Sequence, residues 1–218
     1  MPQTTPPFPT STATCAARRT GRRSAPVRGL VLGALTLALP LALSVTEGAS
    51  ADEFTYLTGT PGDDRLRGTA TADDIRGLAG DDRLWGLAGA DVLSGGRGGD
   101  ELRGGAGVDG LYGGAGGDFL LGGDGADLVS GGAGNDFLNG GRGPDQIDGG
   151  DGRDSVEDDG GRDRVVLGAG DDGYVAWQVD GDRDEIWCGP GDDFVGYWGD
   201  PDPADTLHGC ERIADIAH

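Results

Sequence analysis

The chain has no lysine, only two histidines, and three cysteines among 218 residues. Each shortage excludes something. Seventeen arginines face 38 acidic residues, a net charge of −21, so the chain repels nucleic acid and anionic membrane surfaces and attracts cations. His208 and His218 both stand near the C-terminus, which leaves no plausible catalytic triad and no zinc or iron centre. Neither H-E-x-x-H nor G-x-S-x-G occurs, and the chain reads as a non-enzyme. Long apolar runs are also scarce. The one run, residues 29–45, is interrupted by Pro40 and falls short of the roughly 20 residues a spanning helix needs.

That run follows Arg18, Arg19, Arg22, Arg23 and Arg28 and precedes Ala49-Ser50-Ala51. A basic front, an apolar stretch and a small-residue site are the layout of a secretory signal peptide. Residues 1–51 are therefore expected to be removed, leaving an extracellular chain with no membrane span. Taking their five Arg and one Glu from the 17 basic and 38 acidic residues leaves 12 and 37, a net charge of −25.

What the chain has in excess is glycine, 46 residues. With high net charge, that composition alone suggests disorder. Periodicity decides otherwise. Asp recurs every nine residues without a slip, at Asp64, Asp73, Asp82, Asp91, Asp100, Asp109, Asp118, Asp127, Asp136, Asp145, Asp154, Asp163 and Asp172. Two places after each comes Leu, Ile, Val or Tyr, from Leu66 to Tyr174. A disordered tract has no reason to hold an apolar residue in phase, and short repeats imply a solenoid.

With Asp as sixth position, the first six residues of each unit are glycine-rich and read as a turn. The last three alternate outward, inward, outward, which suits a very short strand. Two units make one coil, and stacked coils pair in parallel around the eighth-position residues. Such a core is thin, its glycine turns lose much entropy on ordering, and its stacked aspartates repel. A bridging cation is required. Calcium fits, taking six to eight oxygens in flexible geometry at about 2.3–2.6 Å, whereas magnesium demands a rigid octahedron. Two columns of turns, seven and six long, allow up to about eleven inter-turn sites by pairing neighbours in each column.

Seven successive units, residues 95–103 through 149–157, match Gly-Gly-x-Gly-x-Asp. This pattern resembles the nonapeptide calcium-binding repeat of the repeats-in-toxin (RTX, hemolysin-type) proteins. The resemblance covers residues 59–175 and implies an all-β, right-handed parallel β-roll, with calcium held by the thirteen aspartates and by turn carbonyls. Those carbonyls fall here at Gly95, Gly98, Gly104, Gly107, Gly113, Gly116, Gly122, Gly125, Gly131, Gly134, Gly140, Gly143, Gly149 and Gly152. Departures from the pattern are Thr60, Thr69, Leu78 and Leu87 at the second place, Thr71 at the fourth, and Asp158-Asp159 in place of Gly-Gly.

Residues 52–58 are expected to form a starting strand and cap. Residues 176–218 are expected to form irregular repeats and a C-terminal cap. There Asp184, Asp193 and Asp205 follow at spacings of 12, 9 and 12, with Ile186, Val195 and Leu207 in the eighth-position role. Cys15 leaves with the signal peptide. Cys188 and Cys210 then pair as a disulfide or stay as two free thiols; a secreted chain favours the disulfide, worth about 3 kcal/mol. Trp177, Trp187 and Trp198 are expected to cover the open end of the core or to form a carbohydrate-stacking platform. Phe119 and Phe137, 18 residues apart, should meet on the outer face beside Leu121 as an ordinary ladder or a partner surface. Two functions follow: a secreted calcium-binding roll that folds on the ion, or a calcium-dependent adhesion module for a cell-surface or matrix glycan.

Overall fold

The structure is a computed structural model that describes residues 54–177, 181–198 and 201–216. The expected signal peptide, residues 1–51, lies outside the described residues. Eighteen strands are described, numbered in chain order from β1 (Thr55–Thr58) to β18 (Arg212–Asp215). Odd-numbered strands form one nine-stranded sheet and even-numbered strands another, each stepping by two. Every pairing is parallel, for example β5 (Val92–Arg97) with β7 (Gly110–Ala115). The chain is thus a parallel β-solenoid of nine coils, as the nine-residue phase requires.

Eighth-position residues face inward and stack on their own kind. Leu93 pairs with Leu111 and Leu111 with Val129 in one sheet. Leu102 pairs with Leu120 and Leu120 with Leu138 in the other. From Ile75 to Val195 this row is the core, every member at most 1% exposed. The seventh and ninth places point outward, where Phe119 and Phe137 stack with ring centroids 4.8 Å apart.

Most strands are longer than three residues. Most run for six or seven, from the seventh position through the Gly-Gly of the next unit, as in β6 (Glu101–Gly107). The register continues through those glycines, Gly96 opposite Gly114 and Gly114 opposite Gly132. Glycine weakens a strand because it carries no side chain to pack. Here that same lack lets backbones of successive coils approach and keep the ladder going, with the Gly98 N–H donating to the Ala115 carbonyl at 2.8 Å. From Leu78 to Gly150 every second position has φ > 0, which costs a non-glycine residue about 1–2 kcal/mol. Leu78 and Leu87 adopt it at φ 87° and 89°.

Beyond residue 175 the coils lengthen by three but stay in register. Val165 pairs with Ile186, Tyr174 with Val195 and Ile186 with Leu207. The solenoid then runs one strand further than the period suggests, with Val195 opposite Ile213 in β18. Cys188 and Cys210 form a disulfide, Cys188 within the core and Cys210 packed against it. The tryptophans do not cover the core's end. Trp177 and Trp198 project from the lengthened coils, 44% and 53% exposed and 5.6 Å apart. Trp187 lies on a sheet face between Arg164 and His208. Leu207 and the disulfide pack against the last of the core instead.

Candidate metal centre

The sixth-position aspartates do not splay into water. Asp73 to Asp172 are all buried, none more than 4% exposed. From Asp82 onward each uses Oδ1 in the same way, accepting the backbone N–H of the aspartate one coil earlier. Asp100 receives it from Asp82 at 2.8 Å, Asp118 from Asp100 at 2.8 Å and Asp145 from Asp127 at 2.7 Å. The result is two columns of inward-turned carboxylates, one per edge of the roll.

Oδ2 is different. In Asp82, Asp91, Asp100, Asp109, Asp118, Asp127, Asp136, Asp145 and Asp154 it is buried and has no hydrogen-bond partner. A buried carboxylate oxygen without a partner is costly, far more so than a neutral group. The place it faces is set by the first-position glycine. A Cβ added at Gly113 would meet Asp118 Oδ2 at 2.5 Å and the Gly131 carbonyl of the next coil at 2.6 Å. At Gly104 it would meet Asp109 Oδ2 at 2.5 Å and the Gly122 carbonyl at 2.7 Å. The interior of the turn is thus lined by a carboxylate oxygen of one coil and a carbonyl of the next, and only glycine leaves it unfilled. Fourth-position glycines such as Gly116, at φ 143°, sit so close to the previous coil that a Cβ would strike its carbonyl.

Electrostatics agree with the geometry. Burial pushes the carboxyls of Asp82, Asp91, Asp118 and Asp127 up to about 6 from an ordinary 3.8, and the N–H on Oδ1 only partly offsets this. Asp145 and Asp154 rise to about 7 by burial, with the charge of neighbouring aspartates adding to it. Asp163 is raised further, again chiefly by burial. These groups want either a proton or a cation. With oxygen donors only, and no His or Cys in the turns, the set fits a hard ion such as calcium.

The predicted positions sort by their surroundings. Those nine turns combine a glycine at the first place with an orphaned Oδ2. The first two do not, because Thr60 and Thr69 satisfy Asp64 and Asp73 Oδ2 through backbone N–H donors at 2.5 and 2.6 Å. At Asp163 and Asp172 the first place is Asp158 and Leu167 rather than glycine. The structure extends the columns past Asp172 along the expected spacings of 12, 9 and 12 residues, and adds one member that the spacing did not reveal, Glu211. Asp184, Asp193 and Asp205 continue the Oδ1 pattern, from Asp163 at 2.8 Å, Asp172 at 3.0 Å and Asp184 at 3.1 Å. Glu211 ends one column, accepting the Asp193 N–H at 3.4 Å. The signal for Glu211 was Ile213 two places on, hidden by a shortened unit.

The family model of the RTX calcium-binding nonapeptide repeat matches the chain in four copies, over residues 58–93, 85–120, 112–147 and 140–174. A search among curated proteins finds no match.

Proposed function

The chain belongs to the RTX calcium-binding nonapeptide repeat family, and from that premise we propose that it is a secreted, non-catalytic β-roll whose fold is completed by calcium outside the cell. Calcium binding itself comes with the family. The observation that carries the rest is the set of nine buried, partnerless Oδ2 atoms, seven of them set beside a carbonyl of the adjacent coil at the first-position glycine. With the ion in the turn, the thirteen sixth-position aspartates and the first- and fourth-position glycines supply its oxygens, up to about eleven ions by the pairing of neighbouring turns. Without it, stacked carboxylates repel across a thin core. Export as an unfolded chain follows from the same charge: calcium is scarce inside the cell and plentiful outside, where binding modules work at Kd of about 10⁻⁴–10⁻³ M. Residues 1–51, read as a signal peptide, supply the route, and the disulfide suits an oxidising destination.

The experiment is circular dichroism of residues 52–218 during a calcium titration. Little β-structure in chelator and a cooperative gain on adding calcium are expected. A complete fold in chelator, unchanged by calcium, contradicts the reading.

Adhesion is the second reading. It rests on two surface aromatic pairs, Phe119 with the half-buried Phe137 and the exposed Trp177 with Trp198, which offer apolar faces of the kind that stack on glycans or partner surfaces. A glycan pull-down that succeeds only with calcium would favour it.

A further inference from the structure

One turn departs from the rest. The first position is glycine in eleven successive units, from Gly59 to Gly149, and Asp158 in the twelfth. At this position the side chain points into the turn, and Asp158 is only 6% exposed. One carboxylate oxygen each from Asp158, Asp163 and Asp184 lie within 4.8 Å of one another. All three residues are buried. Asp158 is held in place by the Tyr174 hydroxyl, donating to Oδ2 at 2.7 Å, and by the Gly160 N–H, donating to Oδ1 at 2.8 Å. Asp163 and Asp184 each accept a backbone N–H on Oδ1, from Asp145 and Asp163, and such neutral donors do not offset the repulsion among three clustered buried carboxylates.

The coil before supplies a second, independent sign. Asp145 is 2% exposed and donates its N–H to Asp163 Oδ1 at 2.8 Å. Its own Oδ2 has no partner. That oxygen lies against Gly140, the residue stacked on Asp158 by the pairing of Asn139 with Glu157. It is therefore aimed at the same interior.

We propose that Asp158, Asp163 and Asp184, completed by Asp145 Oδ2, form a separate site for a hard multivalent cation, bound more tightly than any ion in the repeated turns and filled first. An ion about 2.3–2.6 Å from each ligand places opposite oxygens roughly 4.6–5.2 Å apart, which the observed cluster matches. Four carboxylates contribute, where a repeated turn has two at most from its own and the adjacent coil. All donors are oxygen, which selects calcium over zinc or copper. The site also stands at a boundary. After it the first position becomes Leu167, Ala176, Cys188 and Tyr197, all buried, so the interior changes from oxygen-lined to apolar. The cation closes the metal column against that apolar end.

The site rests on the calcium reading of the roll and shares Asp145 with a glycine turn, and its own mark is the carboxylate of Asp158, which the test isolates. Calorimetric calcium titration of the chelator-treated chain, disulfide intact, is compared with Asp158→Asn. A tight first event is expected in the wild type. The variant should weaken it at least about tenfold, since ligand charge tunes calcium affinity over decades, while later events stay unchanged. If Asp158→Asn does not fold at saturating calcium, Asp158→Gly, which restores the repeat's own residue, carries the same comparison. Identical titrations of wild type and variant overturn the proposal and assign a shared proton to the cluster. Absence of binding at every site overturns the calcium reading of the whole roll, and this site with it.

Discussion

An aspartate with one oxygen on a backbone N–H and the other buried beside a carbonyl is stable only when something positive joins it. At residue scale that positive charge is a proton or a metal ion. The folded carboxyls of Asp82, Asp91, Asp118 and Asp127 sit at about 6, and those of Asp145 and Asp154 at about 7, above an ordinary 3.8. A raised folded value means that the native state holds its protons more tightly than the unfolded state. The stability this contributes is fully present below 3.8 and is lost as pH rises through about 6 to 7. The metal-free chain should therefore gain β-structure in chelator as pH falls from 8 to 5, followed by circular dichroism. Calcium competes for the same oxygens, so its affinity should fall over the same interval. Metal-free dichroism that does not change with pH would show that these carboxylates are not buried in solution.

At the scale of the element, the first-position glycine decides whether a turn has room for an ion. In Gly113→Ala the new methyl would meet the Asp118 and Gly131 oxygens at 2.5 and 2.6 Å. The expected result is one calcium fewer by calorimetry and a loss of about 1–3 kcal/mol in stability, the usual cost of overpacking. Ala115→Ser, at an exposed third position of the same unit, should leave both unaltered. This role of Gly113 was legible only in part. The period, the inward row from Leu66 to Tyr174 and the alternation around it followed from spacing alone. The length of the strands did not, because Gly-Gly reads as a turn by local propensity, and only stacking against an identical glycine pair makes it ladder. Nor did the inward turn of the aspartates, which depends on N–H donors 18 residues earlier in the chain. Asp158 stood out merely as a departure from the pattern; the proximity of Asp184 is created by a three-residue insertion that sequence spacing cannot convert into distance.

At the scale of the whole molecule, two kinds of interior share one solenoid. Up to Gly149 the first-position row is glycine and the interior edge is oxygen. From Leu167 onward it is apolar and closed by the Cys188–Cys210 disulfide. The tryptophans misled at this scale, since a large apolar side chain late in a solenoid suggests a plug, whereas Trp177 and Trp198 sit on the outside of lengthened coils with their rings tilted against each other. Net charge ties the parts together. A chain at −21, with no lysine to neutralise its aspartates, stacks those aspartates in two columns, so ions are structural members of the coil. The most direct measurement is anomalous X-ray scattering from crystals grown in calcium. The account predicts two lines of calcium peaks inside the roll, each between a sixth-position Asp Oδ2 and a first-position glycine carbonyl of the next coil. A refined roll whose turns contain only water, or whose calcium lies on the outer faces, would contradict it.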